Sequence, residues 1–455
     1  MPFTRRLPDR RPSIPLAILA SVATVATIAA CSSDGDGDAG AAADGSADAA
    51  PEARPEPTSD GGDADASPSD AGVAFDAAPR PVVCTSQPCA KALVTTSTSN
   101  GLERDEGYCA LLDDGTVVCW GTNRNGQLGR GEDGGTYDSS EPALVVGISE
   151  ARQLDHTCAV NASGEIWCWG LGPFLRSPTA RTLERTPVKL ELPPAERVAV
   201  STAAGCAVID GGVQCWGANY YGQVGPLNLV PPSGMAPARA IELPPGAPIR
   251  DLVLGDSTFL LRDDGTVLSW GANPPLARVS SFFPDPNPAT IELAGVTFLD
   301  SVTEHACAVA GGAGYCWGAR LDPKHPVFDR GYPERVVAPE PIVQIATTTP
   351  ITVTNGGASV LEPPRWCAVG ASGDVYCWGS NASGQVGDGT RDYAFDAVKV
   401  PGLPAPAVQV RTMPSSTCVL LTNGKIHCWG TNVNGQLGNK KVRGVHPTPQ
   451  EVVLP

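Results

Sequence analysis

Apolar and polar positions alternate along most of this chain in short runs, and no stretch carries sustained helical periodicity. The runs come in pairs. Ala110-Leu111-Leu112 and Thr116-Val117-Val118 flank Asp113-Asp114-Gly115, and Ala159-Val160 and Glu165-Ile166-Trp167 flank Ser163-Gly164. Period-two runs around a glycine turn predict β-hairpins. Each hairpin ends in a Trp-Gly step, at Trp120, Trp169, Trp216, Trp270, Trp317, Trp378 and Trp429, spaced by 47 to 61 residues. Strand-turn-strand signals repeated at such a period predict an all-β, seven-bladed β-propeller over residues 81–455.

Between hairpins lie Pro-rich stretches that end in further apolar runs, such as Pro187-Val188-Lys189-Leu190 and Ala397-Val398-Lys399-Val400. The chain stops on a similar run, Pro449 to Leu454, and no such run precedes the first hairpin. The expectation is that the C-terminal strand completes the first blade and so closes the ring.

Twelve of the 15 cysteines sit in the repeats. They pair as Cys109 with Cys119, Cys158 with Cys168, Cys206 with Cys215, Cys307 with Cys316, Cys367 with Cys377 and Cys418 with Cys428. Pairs ten apart span a three-residue turn and pairs nine apart a two-residue turn, so each cysteine faces its partner across the hairpin. The fourth repeat has Phe259 and Ser269 at these positions, so both members are replaced together. That is how a covalent pair behaves, and intra-blade disulfides are predicted, each worth about 2–3 kcal/mol by loop-closure entropy. Cys84 and Cys89 are expected to close a small extra loop ahead of the first blade. Two facing sulfurs per blade, with no further ligand near them in sequence, do not make a metal site.

Cys31 has a different setting. Arg5, Arg6, Arg10 and Arg11 precede an apolar stretch from Ile14 to Ala30, which reads as a signal peptide over 1–30. It ends Ile28-Ala29-Ala30-Cys31, which resembles the bacterial lipobox and implies cleavage before Cys31 and lipid on it. Residues 31–80 follow as a linker of Asp, Ala, Gly, Ser and Pro, with 12 acidic and two basic residues from 32 to 80. Such a segment buries too little apolar surface to fold and is expected to be a disordered, acidic spacer. Its Asp34-Gly-Asp36-Gly-Asp38 run lacks the glycine and glutamate of a calcium loop, having Ala39 and Gly45 there. Export agrees with disulfides, which persist in oxidising compartments. The expected location is a bacterial cell envelope, with Ser32 after the lipidated cysteine leaning toward the outer membrane.

The tail of the first hairpin sharpens the fold. Ala110, Leu111, Asp114, Gly115, Val117, Trp120, Gly121, Asn123, Gly126, Gln127, Leu128 and Gly129 resemble the pattern of the regulator of chromosome condensation repeat family. The Asn-to-Gly tail returns at 219–225, 381–387 and 432–438, and Pro-containing sequence replaces it after Trp169, Trp270 and Trp317. The resemblance covers 81–455 and implies a seven-bladed propeller with irregular loops in those three blades. It does not carry over the family's nucleotide exchange on a nuclear GTPase, which an exported protein would not meet. The family also includes a secreted bacterial propeller that inhibits β-lactamases, so the scaffold can bind proteins outside the cell.

Little chemistry stands out. His156 and His305 each lie two residues before a repeat's first cysteine, where the family uses histidine for packing and hydrogen bonding. The repeat tryptophans read as blade core. No catalytic or cofactor motif accompanies the five histidines. The acidic balance, with no basic face, speaks against nucleic acid. The longest interval, between the fifth and sixth Trp-Gly steps, carries Lys324, His325, Phe328, Arg330, Tyr332 and Arg335, then Arg365-Trp366. Basic and aromatic residues on an inserted loop suit a binding surface, and Lys324, Phe328, Arg330, Tyr332, Arg335 and Trp366 are its candidates. Tyr220-Tyr221 and Phe282-Phe283 are secondary ones.

The reading that follows is a monomeric, lipid-tethered envelope propeller that binds a protein or a glycan and needs no cofactor. A polysaccharide-acting hydrolase or lyase would instead need carboxylates converging at the ring centre. A purely structural envelope component is the third reading.

Overall fold

The computed structural model describes residues 78–96, 105–227, 235–322, 325–355 and 358–455. The signal peptide, Cys31 and nearly all of the linker lie outside the described residues, as do Lys324 and the side chains of 319–330 and 351–362.

Seven four-stranded antiparallel sheets follow one another along the chain. Blade 1 runs Ala90–Thr95, Gly107–Leu112, Val117–Gly121 and Ser139–Leu144, and blade 7 runs Ala407–Met413, Ser416–Leu421, Ile426–Thr431 and Val445–Glu451. Every blade begins at its inner strand and ends at its outer one. The inner strands of neighbouring blades touch all round the ring, including those of blades 1 and 7. The architecture is therefore an all-β, seven-bladed propeller.

Ring closure differs from the sequence expectation. Val445–Glu451 pairs with Ile426–Thr431 as the outer strand of blade 7, and blade 1 draws all four strands from residues 90–144. The Pro-rich apolar runs close the blade before them instead of opening the next. No strand is exchanged between the ends. Blades 7 and 1 meet through a shared core that includes Trp120, Leu437, Val452 and Met413.

The Trp-Gly step has a geometric cause. In every blade the pairing of third and outer strands slips at this step, as between Cys119 and Gly121. Such a bulge turns the tryptophan toward the neighbouring blade. Gly121 sits at φ +103°, and a Cβ there would lie 2.5 Å from the Glu106 carbonyl. Only glycine meets both conditions at low cost.

The tail after Trp-Gly folds on its own side chains. Asn123 Oδ1 accepts from Leu128 N at 3.1 Å, and Gln127 Oε1 accepts from Asn125 N at 2.8 Å. Asn219 with Gln223, Asn381 with Gln385 and Asn432 with Gln436 repeat both bonds. These amides are buried and their oxygens are satisfied, though Gln436 Nε2 has no partner among the described residues.

All six repeat cysteine pairs are disulfides across facing strand positions, with Cα separations of 4.0 to 4.1 Å. Cys109 bonds Cys119, Cys158 bonds Cys168, and Cys206 bonds Cys215. Cys307 bonds Cys316, Cys367 bonds Cys377, and Cys418 bonds Cys428. Cys84 and Cys89 form a seventh bridge. On the third strands, Cys119, Cys168, Cys215, Cys377 and Cys428 are fully buried in the cores between blades. Buried there as disulfides, they cross-link the second and third strands of their blades. In blade 4, Phe259 faces Ser269 at the same register. Phe259 packs edge-on to Trp317 at 5.4 Å, while Ser269 accepts from Arg278, which is paired with Asp285 at 2.8 Å. A buried ion pair and an aromatic contact stand in for the missing bridge.

Candidate functional site

Strand direction alternates within each blade, so connections from inner to second strand and from third to outer strand emerge on one face. The tight hairpin turns, such as Asp113-Asp114-Gly115, emerge on the other. The loop face carries every long connection. One is a two-stranded hairpin, Ile351–Asn355 with Ala358–Glu362, set between the inner and second strands of blade 6. Another is the extended pair Ala313–Asp322 and His325–Arg335 of blade 5. Tyr137, Tyr220, Tyr221, Phe282 and Phe283 are exposed on loops of this face. Exposed aromatics gathered on one face are what an interface core uses.

The candidate residues of the long interval do not form one loop. Phe328 and Arg330 lie on the His325–Arg335 strand, with their side chains outside the description. Tyr332 and Arg335, on the same strand, are exposed. Arg365 and Trp366 begin the second strand of blade 6 and are buried, so the sequence expectation of an exposed loop pair is corrected. Trp366 stacks on Trp378 with ring centroids 6.3 Å apart. Arg365 reaches into blade 7, donating to Thr417 Oγ1 at 2.6 Å, Met413 O at 2.7 Å and Ser416 O at 2.9 Å. It occupies the register of His156 and His305, two residues before the first cysteine.

Carboxylates do converge at the ring centre. Asp155, Asp251 and Asp300 line a channel of about 350 Å³. Each is engaged. Asp155 accepts from Val200 N at 2.8 Å, Asp300 from Thr347 N at 3.0 Å, and Asp251 pairs with Arg197 at 3.3 Å. Gln153, Gln344 and Gln409 make the same blade-to-blade bonds, to Val198, Val410 and Leu93. Burial pushes the Asp251 and Asp300 carboxyls up, opposed by Arg197 and by Arg411 respectively. The channel polar groups act as ties between inner strands, which satisfies backbone groups at the blade edges.

The loop-face mouth of the channel is a second cavity of about 370 Å³, lined by threonines and serines with Tyr220, Tyr221 and Asp256. Burial and then the Glu304 charge push Asp256 up to about 6. The Asp256 charge in turn raises Tyr221.

The two histidines part company. His156 Nδ1 lies 2.9 Å from Thr95 O and bridges blades 1 and 2, as expected. His305 is 4% exposed, and neither ring nitrogen has a hydrogen-bond partner. Burial holds it down to about 4. It lines a cleft of about 400 Å³ between blades 5 and 6, with Trp317, Trp366, Trp378 and Phe395. Reading every repeat tryptophan as core missed this cleft. The signal that could have found it was that Trp317-Gly318 is followed by neither the Gly-Gln-Leu-Gly tail nor the Pro-Phe or Pro-Leu step of the other irregular blades.

The fold and site define a repeat propeller whose channel polar groups tie the inner strands together and whose loops and aromatics gather on one face. The regulator of chromosome condensation (RCC1) repeat model matches residues 105–127 and 415–436, within blades 1 and 7. The chain is 26% identical over 355 residues to the ultraviolet-B receptor UVR8 of Arabidopsis thaliana, covering 72% of this chain and 76% of the receptor. It is 26% identical over 381 residues to the human E3 ubiquitin-protein ligase HERC2, covering 77% of this chain and 7% of the ligase. Among solved structures, Prp20p of Saccharomyces cerevisiae superposes with a TM-score of 0.57 at 19% identity, covering 74% of this chain and 86% of that one. The chain is a seven-bladed β-propeller that carries RCC1-type repeats in blades 1 and 7.

Proposed function

We propose that this chain is an exported, lipid-anchored cell-envelope propeller that binds a protein through its loop face. The observation that carries the reading is the concentration of inserted hairpins and exposed aromatics on that face, while the channel carboxylates are engaged as blade ties. Disulfides in six of seven blades support an oxidising compartment. The Ala30-Cys31 junction supports lipid tethering, and the acidic spacer would hold the propeller off the membrane. Prp20p, of the same fold, was solved with its binding to Gsp1p and histones described, so this scaffold serves as a protein binder there.

The test is capture from envelope extract by the full chain, beside a variant with Tyr220, Tyr221, Phe282 and Phe283 changed to alanine. A protein retained by the first and lost by the second, at an unchanged melting temperature, is the expected result. Retention by both would remove the loop face from the reading. In parallel, Cys31→Ala should move the protein out of the membrane fraction.

A further inference from the structure

At six of the seven blade interfaces the repeat tryptophan is sealed in one way. Its indole nitrogen donates to a backbone carbonyl of the preceding blade, and the next residue of that blade is a buried apolar plug. The pairs are Trp169 with Gln127 O at 2.9 Å, Trp216 with Pro173 O at 2.6 Å, Trp270 with Gln223 O at 2.9 Å and Trp317 with Pro275 O at 2.9 Å. Trp429 with Gln385 O at 2.8 Å and Trp120 with Gln436 O at 3.0 Å complete the set. The plugs are Leu128, Phe174, Val224, Leu276, Val386 and Leu437, each buried. In the Gln-Leu-Gly tails the closing glycine lets the indole lie on the backbone: a Cβ on Gly129 would sit 2.9 Å from Trp169 Cδ1. Blades 2 and 4 keep the carbonyl and the plug although their tails read Pro-Phe and Pro-Leu.

Among the described residues, blade 5 lays no plug. Its third strand runs on past Trp317-Gly318 to Asp322 and pairs with the outer strand, Ala319 opposite Asp329 and Arg320 opposite Phe328. Among the described residues, Trp378 Nε1 has no carbonyl acceptor, and Trp378 is only half-buried. The cleft of about 400 Å³ stands where the other interfaces hold their plug. The unpartnered His305 ring lines it, and the exposed Glu334, Arg335 and Asp396 stand at its rim.

We propose that this cleft is a peptide-binding site, which takes from a partner protein an extended segment like the missing plug: a backbone carbonyl, then a leucine or valine side chain, then glycine. The carbonyl accepts from Trp378 Nε1, and the aliphatic side chain fills the space between Trp317, Trp378 and Ala338. Neutral at physiological pH, the His305 ring offers one donor and one acceptor to the peptide backbone. Desolvated and unpartnered, it gains from any such bond what the folded chain alone leaves unmade. Two carboxylates, Glu334 and Asp396, against one guanidinium, Arg335, leave the rim mildly acidic, which suits a peptide and not a polyanion. The proposal deepens the protein-binding reading and rests on it, but uses a different surface from the exposed loop aromatics.

The test titrates the full chain in detergent with a capped Asn-Gly-Gln-Leu-Gly peptide, read by calorimetry and tryptophan emission. A control peptide carries Asp in place of Leu, and a chitin oligosaccharide is run alongside. The expected result is saturable binding of the Leu peptide and at least about tenfold weaker binding of the Asp peptide. Trp378→Phe, which keeps an aromatic ring and removes the donor, should weaken binding. Ala338→Leu, which fills the cleft, should abolish it at an unchanged or raised melting temperature. No saturable binding, equal affinity for both peptides, indifference to both variants, or saturation by the oligosaccharide alone would overturn the proposal. Capture of an envelope protein through the loop aromatics, with no peptide bound, would sink this inference and leave the broader reading standing.

Discussion

The interface between blades 7 and 1 and the interface between blades 5 and 6 are built from the same repeat and finished in opposite ways. At the first, Trp120 is fully buried against Gln436 and Leu437. Glu106 accepts from Ser415 N at 2.6 Å and Ser416 Oγ at 2.5 Å, and the Tyr108 hydroxyl meets Ser416 Oγ at 2.9 Å. Arg365 arrives from blade 6 to bond the carbonyls of Met413 and Ser416. Burial raises the Glu106 carboxyl and lowers the Arg365 guanidinium to about 10, so each charge helps to offset the cost of burying the other. At the second, the shared core is small and a cleft stands open.

The difference teaches how a ring closes without exchanging a strand. Blades 5 and 6 are neighbours in the chain, so the loop between them costs little to close. Joining blade 7 to blade 1 closes a loop of the whole propeller, and its larger entropy must be met by contacts at that interface alone. A loose interface is tolerable in mid-chain and not at the seam.

The contrast can be broken first at its strong side. Arg365→Met removes a fully buried cation from beside Glu106 and should cost about 3–5 kcal/mol in denaturant unfolding. A loss within experimental error would mean that the network does not hold the seam. Next, Trp120→Ala should cost about 3–5 kcal/mol and Trp378→Ala about 1–2 kcal/mol, because only the first leaves a sealed cavity. Equal losses would erase the distinction between the two interfaces.

The smallest effect concerns pH. His305 is held below its usual 6.5, at about 4, by burial, so the folded state binds fewer protons than the unfolded one between those values. Its contribution is whole above pH 6.5 and is lost as pH falls through 4, to the extent of roughly 3 kcal/mol. His305→Phe should therefore flatten the fall in melting temperature across that window and leave the value at pH 7 nearly unchanged. An unaltered acid limb would place the sensitive group elsewhere.

Much of the fold was legible because its signals are local. A cysteine pair nine or ten apart around a glycine turn reports a cross-strand register, and a Trp-Gly step reports a bulge. The phase of the repeat was not legible. Pro449–Leu454 resembles the runs elsewhere in the chain, but whether such a run opens one blade or ends another depends on which strand it pairs with. The candidate site was legible only in part. Tyr220-Tyr221 and Phe282-Phe283 are exposed on the loop face, whereas Arg365-Trp366, read as an exposed pair, is buried between blades. For Arg365 that burial is decided by blade 7, some 50 residues away, and for Trp366 by Trp378 and the core shared with blade 5.

What the sequence determined by itself is the number of blades, the pairing of the cysteines and the residues that bend each blade at its tryptophan. These follow from period-two patterning and turn length, which act over a dozen residues or so. Only the tertiary structure decided where the ring is sealed, which face gathers the loops, and that one of seven equivalent slots holds no plug among the described residues. Those are properties of surfaces that meet between blades, and a slot is filled or left open by whatever the neighbouring blade presents to it.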